Sequence, residues 1–89
     1  MNIDINTVWN RIIEHQGEDF RQIRGQIFTY SIKGSVLKPS TTDRNIPKSE
    51  FVKALDHVPL KNTIPLQNLQ APSYLYAILM DCRICKGLW

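Results

Sequence analysis

The feature that most constrains this chain is the run I-F-T-Y-S-I from Ile27 to Ile32, bracketed by Arg24-Gly25 and Lys33-Gly34. β-branched and aromatic residues in alternation favour an extended segment, and the alternation puts Phe28, Tyr30 and Ile32 on one apolar face. Glycine on either side permits the positive φ that a tight reversal needs. The expectation is two or three short antiparallel strands drawn from Phe20–Ile23, Ile27–Ile32 and Ser35–Leu37. If Lys33-Gly34 is a two-residue turn, Ile32 pairs with Ser35 and Tyr30 with Leu37, which places Leu37 on the apolar face. So small a sheet has one apolar face to cover, and the rest of the chain must supply the cover.

Three helical patterns do so. Ile5, Val8, Trp9, Ile12 and Ile13 recur at i, i+3, i+4, i+7 and i+8, which makes one apolar stripe. Asp4 or Asn6 can cap its start, and Gly17 stands where a left-handed residue ends a helix. A second helix opens at Ile46-Pro47-Lys48-Ser49, buries Phe51, Val52, Leu55 and Val58, and ends at Pro59. Pro39–Asn45 reads as a loop. Pro59–Gln70 reads as an irregular connection over Ile64, Leu66 and Leu69. A third helix starts near Pro72-Ser73, where proline is tolerated in the first turn. Tyr74–Met80 is apolar on every side, so this helix is expected to be central.

The fold class is therefore α+β: a small antiparallel two- to three-stranded sheet packed on three helices, in the order α-β-β(-β)-α-α. Residues 1–84 are expected to form one domain, with 85–89 as a C-terminal tail. Trp9, Ile12, Ile13, Phe28, Tyr30, Ile32, Phe51, Leu55, Leu75, Ile78 and Leu79 are expected to dominate the core. A winged helix places its hairpin after the recognition helix; here the hairpin comes early, so that topology does not fit.

With 89 residues there is room for one domain. A chain of this size buries roughly 60–65% of the surface that its unfolded form exposes. That leaves little for a deep pocket, and an enzyme is not expected. A composition 43% hydrophobic and 21% charged argues against disorder. No apolar run approaches the ~18–20 residues that span a bilayer. The N-terminal MNIDINTVWN has no basic and apolar signal pattern. The expectation is a cytoplasmic protein without a membrane partner.

Charge is distributed unevenly. Residues 1–20 set Arg11 against Asp4, Glu14, Glu18 and Asp19, a net of −3. Residues 21–61 carry eight Lys and Arg against Asp43, Glu50 and Asp56, a net of +5. Arg21, Arg24, Lys33, Lys38, Arg44, Lys48 and Lys53 are the candidate nucleic-acid contacts. Turns and helix starts are places where such side chains meet phosphates. The plainer reading is a scatter of solvated cations. Tyr30, Tyr74 and Tyr76 have a base-stacking alternative to their expected place in the core.

Cys82 and Cys85 form a single C-R-I-C. Two thiolates at this spacing can hold half of a zinc site or act as a redox pair. Zinc needs two further ligands, and His15 and His57 are distant in sequence. A redox motif normally opens a helix, whereas this one is read as closing the third. Two thiols without a dedicated role are therefore expected. No P-loop, GxGxxG, HExxH or nucleophile elbow occurs. No catalytic residue, metal or cofactor is expected. Leu88 and Trp89 end the chain as a candidate partner anchor, a fold-back onto the core, or a loose end.

The runs from Arg24 to Gly34, Ile46 to Leu55 and Pro72 to Ile84 together resemble a type of small conserved bacterial protein of unknown function. They span most of the chain. The resemblance implies no activity, cofactor or site residue. Two functions remain as expectations. One is a nucleic-acid-binding module using the basic middle segment. The other is a protein–protein interaction module or homodimer using the apolar C-terminal region. A metal or redox role for the two cysteines stands behind both.

Overall fold

The computed structural model describes residues 4–89, so the first three residues of the predicted domain lie outside the described residues. Helix α1 spans Ile5–Glu14 and buries Val8, Trp9 and Ile12. Asp4 caps it by accepting a hydrogen bond from the Asn6 amide at 2.9 Å. Strands β1 (Phe20–Arg21) and β2 (Ile27–Phe28) pair antiparallel, Phe20 opposite Phe28. Strands β3 (Tyr30–Lys33), β4 (Val36–Pro39) and β5 (Ile46–Pro47) form a second antiparallel sheet in that order. Helix α2 (Lys48–Ala54) runs into a 3-10 turn at Leu55–His57, and a second such turn covers Ile64–Leu66. Helices α3 (Pro72–Leu79) and α4 (Cys82–Cys85) follow. The α+β class holds, with four α-helices and two small sheets among the described residues.

The expected run from Ile27 to Ile32 exchanges partners midway, at Thr29. Its amide donates to Ser40 Oγ at 3.0 Å, and its carbonyl accepts from the Ser40 amide at 2.8 Å. The residues before it pair with β1 and those after it with β4. Alternation survives the break: Phe28 and Tyr30 are buried and Ile32 half-buried.

The hairpin register differs from expectation. The turn is Gly34-Ser35, not Lys33-Gly34, so Lys33 faces Val36, Ile32 faces Leu37 and Tyr30 faces Pro39. Gly34 takes φ +63° as the first turn residue, where a side chain would be strained. The turn moved by one residue, which changes each partner by two and preserves parity. Leu37 thus remains on the buried face.

Three further expectations are corrected. Ile46-Pro47 pairs with β4 as an edge strand, and only from Lys48 does the chain turn helical. Proline suits that edge because it has no amide to offer a further strand. Val52 is 44% exposed, because α2 turns Glu50, Phe51 and Ala54 inward and Val52 falls on the opposite side. Ile64 is 72% exposed, while Leu66 is buried and Leu69, partly buried, packs against the core.

Between the sheets and helices, α3 contributes Leu75, Ala77, Ile78 and Leu79 to the core. Of the eleven expected core residues, Ile13, Ile32 and Leu55 are only partly buried. Phe20 is fully buried without having been expected there, and Leu37, expected on the apolar face of the hairpin, is fully buried as well. The aromatic side chains interlock. Phe20 lies 5.1 Å from Tyr30, Phe28 stands edge-on to Tyr74 at 4.8 Å, and Trp9 stands edge-on to Phe51 at 5.5 Å. The Tyr30 hydroxyl is satisfied inside by the Ile12 carbonyl at 2.6 Å.

The predicted tail at 85–89 is part of the folded body. Asp81 caps α4 through the Arg83 amide at 2.9 Å, Ile84 is fully buried, and Cys85 lies inside the helix. Lys86 and Gly87 then take positive φ and turn the chain back. Trp89 packs against the core and donates its indole N–H to the Leu79 carbonyl at 2.9 Å. An apolar ring with one donor finds both kinds of partner there.

Candidate functional site

The seven expected nucleic-acid contacts do not share one face. Lys33 projects from the end of β3 and Lys38 from β4, both exposed. Because Ser31 faces Lys38 and Lys33 faces Val36, the two lysines are diagonal neighbours on one side of the sheet. Diagonal positions in an antiparallel pair stand roughly 7–8 Å apart, within common reach of two long side chains. Leu37 faces Ile46, which brings Asn45 alongside Lys38.

Ser31, Lys33, Val36, Lys38 and Asn45 surround an open recess of about 280 Å³. A second recess, about 340 Å³, shares Ser31 and Lys38 and runs on to Ser40, Thr42 and Asp43. Ser31 and Lys38 thus line both recesses. The lysine ammonium groups of 33 and 38 make no ion pair or hydrogen bond among the described residues. Their charge is left to solvent.

The other candidates are elsewhere. Arg21 and Arg24 are exposed on the β1–β2 hairpin, whose loop closes through the Gln22 amide on the Gln26 carbonyl at 2.8 Å. Two half-exposed isoleucines, Ile23 and Ile27, accompany them. Arg44 is exposed in the loop before β5. Lys48 is committed to the fold: its Nζ donates to Asn6 Oδ1 at 3.2 Å and lies 6.0 Å from the Trp9 ring centre. Lys53 pairs with Glu50 at 3.6 Å, and Glu50 in turn accepts from the Gln70 amide at 3.3 Å. Trp89 is engaged by its own chain, as described above, and Leu88 is half-buried.

The densest charged cluster was missed in the sequence. Arg83 Nε and Nη2 grip both oxygens of Asp81 at 2.8 and 2.9 Å. Nη1 donates to Glu18 at 3.0 Å, Nη2 donates to the Asp19 carbonyl at 2.7 Å, and the guanidinium stacks 3.9 Å from the Phe20 ring centre. The hydrogen bonds from Arg83 lower the Asp81 carboxyl below its ordinary value. Glu18 is lowered first by His15, whose Nδ1 lies 2.8 Å from its carboxylate, and then by Arg83. Those two carboxylates raise the Arg83 guanidinium in turn. Burial pushes the Tyr30 hydroxyl far above the usual phenol range. This cluster joins α4 to the β1 strand and the loop before it, and every group in it already has a partner. No sequence spacing marks it, since Glu18 and Arg83 lie 65 residues apart.

Tyr30 and Tyr74 are turned inward, and neither offers a free ring face on the lysine side of the sheet. No cluster of three His, Cys, Asp or Glu side chains able to hold a metal occurs among the described residues. No helix among them is long and apolar enough to cross a membrane. The chain matches no protein-family model, no curated protein and no solved structure.

Proposed function

We propose that the chain is a nucleic-acid-binding module that holds the phosphate backbone on the outward face of the β3–β4–β5 sheet. The observation that carries this reading is the diagonal pair Lys33 and Lys38, free of ion pairs among the described residues and flanked by Ser31 and Asn45. Two lysines at diagonal positions, each on a long flexible stem, can reach neighbouring phosphates along a strand. The serine hydroxyl and asparagine amide supply hydrogen bonds to phosphate or sugar oxygens. The recess offers no aromatic side chain for base stacking and no groove-reading helix, so the binding is independent of sequence.

Two lysine–phosphate contacts set the salt dependence. Each contributes roughly 0.7–0.9 to the slope of log affinity against log salt, so two give about 1.4–1.8. Raising salt from 50 to 200 mM then weakens binding about tenfold. Anisotropy of labelled single- and double-stranded DNA and RNA measures this directly. Lys33→Glu combined with Lys38→Glu removes binding while the fold, checked by circular dichroism, persists. Arg24→Glu, on the separate hairpin, leaves most of it. Unchanged binding by the folded double variant, or no binding by the native chain at low salt, sinks the assignment.

A further inference from the structure

Helix α4 gives the C-R-I-C motif a setting that the sequence did not predict. The motif does not close α3. Met80 and Asp81 end that helix, and Asp81 caps a new turn whose first residue is Cys82 and whose last is Cys85. The turn is closed by the Lys86 amide on the Cys82 carbonyl at 3.1 Å. Cys82 is exposed and Cys85 half-buried, and both are free thiols.

We propose that Cys82 and Cys85 are a reversible dithiol–disulfide exchange pair, with Cys82 as the attacking thiol and Cys85 as the resolving one. Residues three apart in a helical turn have Cα atoms about 5 Å apart, inside the range that a disulfide accepts. Their Cβ atoms stand roughly 5–6 Å apart and must approach by about 1–2 Å. Only one turn has to adjust, and two positive-φ residues, Lys86 and Gly87, follow it. Arg11 resists the adjustment, because its Nη1 donates to the Ile84 carbonyl at 2.8 Å and the Cys85 carbonyl at 3.2 Å. A disulfide closed against such contacts is readily reduced, which suits exchange and not structural bracing.

The co-reactant is a low-molecular-weight disulfide, RSSR. The Cys82 thiolate attacks one of its sulfurs, the R–S–S–R bond breaks, and RS⁻ leaves to take up a proton. The Cys85 thiolate then attacks the Cys82 sulfur of the mixed disulfide and expels the second RS⁻. The protein loses two electrons and two protons, RSSR is reduced to two RSH, and one intramolecular disulfide forms. Difference in exposure assigns the order, since access governs which thiol meets the incoming disulfide.

The test uses the full chain, oxidised glutathione in excess, and intact-mass spectrometry. The native protein is expected to lose two hydrogens, retain no glutathione, stay monomeric, and revert fully with reduced glutathione. Cys85→Ser is expected to stop with one glutathione on Cys82. Cys82→Ser is expected to react on the order of tenfold more slowly, a difference that vanishes in urea, where both thiols are equally accessible. A lasting glutathione adduct on the native chain, disulfide-linked dimers, or no reaction overturns the pair. Equal rates for the two folded single variants overturn the order. If either variant fails to fold, the masses of the native protein alone decide whether the pair exists.

Discussion

Replacing Arg83 with Met keeps most of the side chain's length and removes everything its guanidinium does. Three losses add. The two-point grip on Asp81 is partly solvated, since the arginine side chain is 29% exposed and the aspartate 21%. A pair of that kind contributes about 0.5–1 kcal/mol. Stacking over Phe20 contributes about 0.5–1 kcal/mol. The charge-assisted bond to the Asp19 carbonyl adds about 0.5–1.5 kcal/mol. The solvent-exposed Glu18 contact is assigned nothing. Arg83→Met should therefore cost about 2 kcal/mol, a fall in Tm of roughly 8–16 °C for a domain of this size. Arg83→Lys keeps the charge but lacks the planar fork and the stacking surface, so it should recover no more than about half of the loss. Urea unfolding followed by circular dichroism gives both values. A loss under about 0.5 kcal/mol for Arg83→Met, or a lysine variant as stable as the native chain, would refute the idea that this cluster ties α4 to the body.

Tyr30→Phe leaves the ring in place and removes the bond to the Ile12 carbonyl, so it should cost about 1–1.5 kcal/mol in urea unfolding with no change of fold. An indistinguishable midpoint would mean that the hydroxyl contributes nothing in the core. Asp81→Asn keeps a side-chain cap for α4 but removes the charge facing Arg83. Because Arg83 lowers the Asp81 pKa in the folded state, the stabilisation is complete above the ordinary carboxylate range. It is lost as pH falls through the lowered folded value. The stability gap between native chain and variant should thus be about 1 kcal/mol or less at pH 7, begin to narrow below about pH 4, and close only once pH is below the lowered folded value. A gap that persists unchanged at pH 2 would show that charge is not its source.

Much of the fold was legible because its signals are local. The stripe from Ile5 to Ile13, the alternation from Phe28 to Ile32 and the all-round apolar run from Tyr74 to Met80 each announce an element and its buried side. What stayed hidden depends on contacts far along the chain. Thr29 switches partners because Ser40 arrives beside it, and Ile46-Pro47 becomes a strand because β4 lies open at that edge. Val52 and Leu55 both fit a helical stripe, and only the position of the core decides that Val52 faces solvent. The turn glycine at 34 is legible, but its place as first rather than second turn residue follows from the pairing of the two strands, which leaves no local signal. The site was half legible. Lys33 and Lys38 were named, yet their convergence follows from a register that two residues of slippage obscured. Ser31 and Asn45 carry no signal of their own, being ordinary surface residues until the register places them beside a lysine.

Counting cations could not find a site in this chain, because the cations divide into two populations that look alike in sequence. Arg11, Lys48, Lys53 and Arg83 are consumed internally by carbonyls, an amide oxygen and carboxylates. Arg21, Arg24, Lys33, Lys38, Arg44, Lys61 and Lys86 are exposed, and their side chains make no ion pair or hydrogen bond among the described residues, so their charge is free for a partner. Only the second population can add affinity for an anion, since a cation already held must first give up its own contact. Among these, Lys33 and Lys38 are neighbours on one sheet face, which is why the proposed contact rests on them and not on the +5 of the middle segment. The consumed cations matter differently. Arg11 and Arg83 both clamp α4, one through its last carbonyls and the other through its cap. Closing the proposed disulfide in that turn has to strain the Arg11 bonds, so the contacts that hold the turn in place would also make that disulfide easy to reopen.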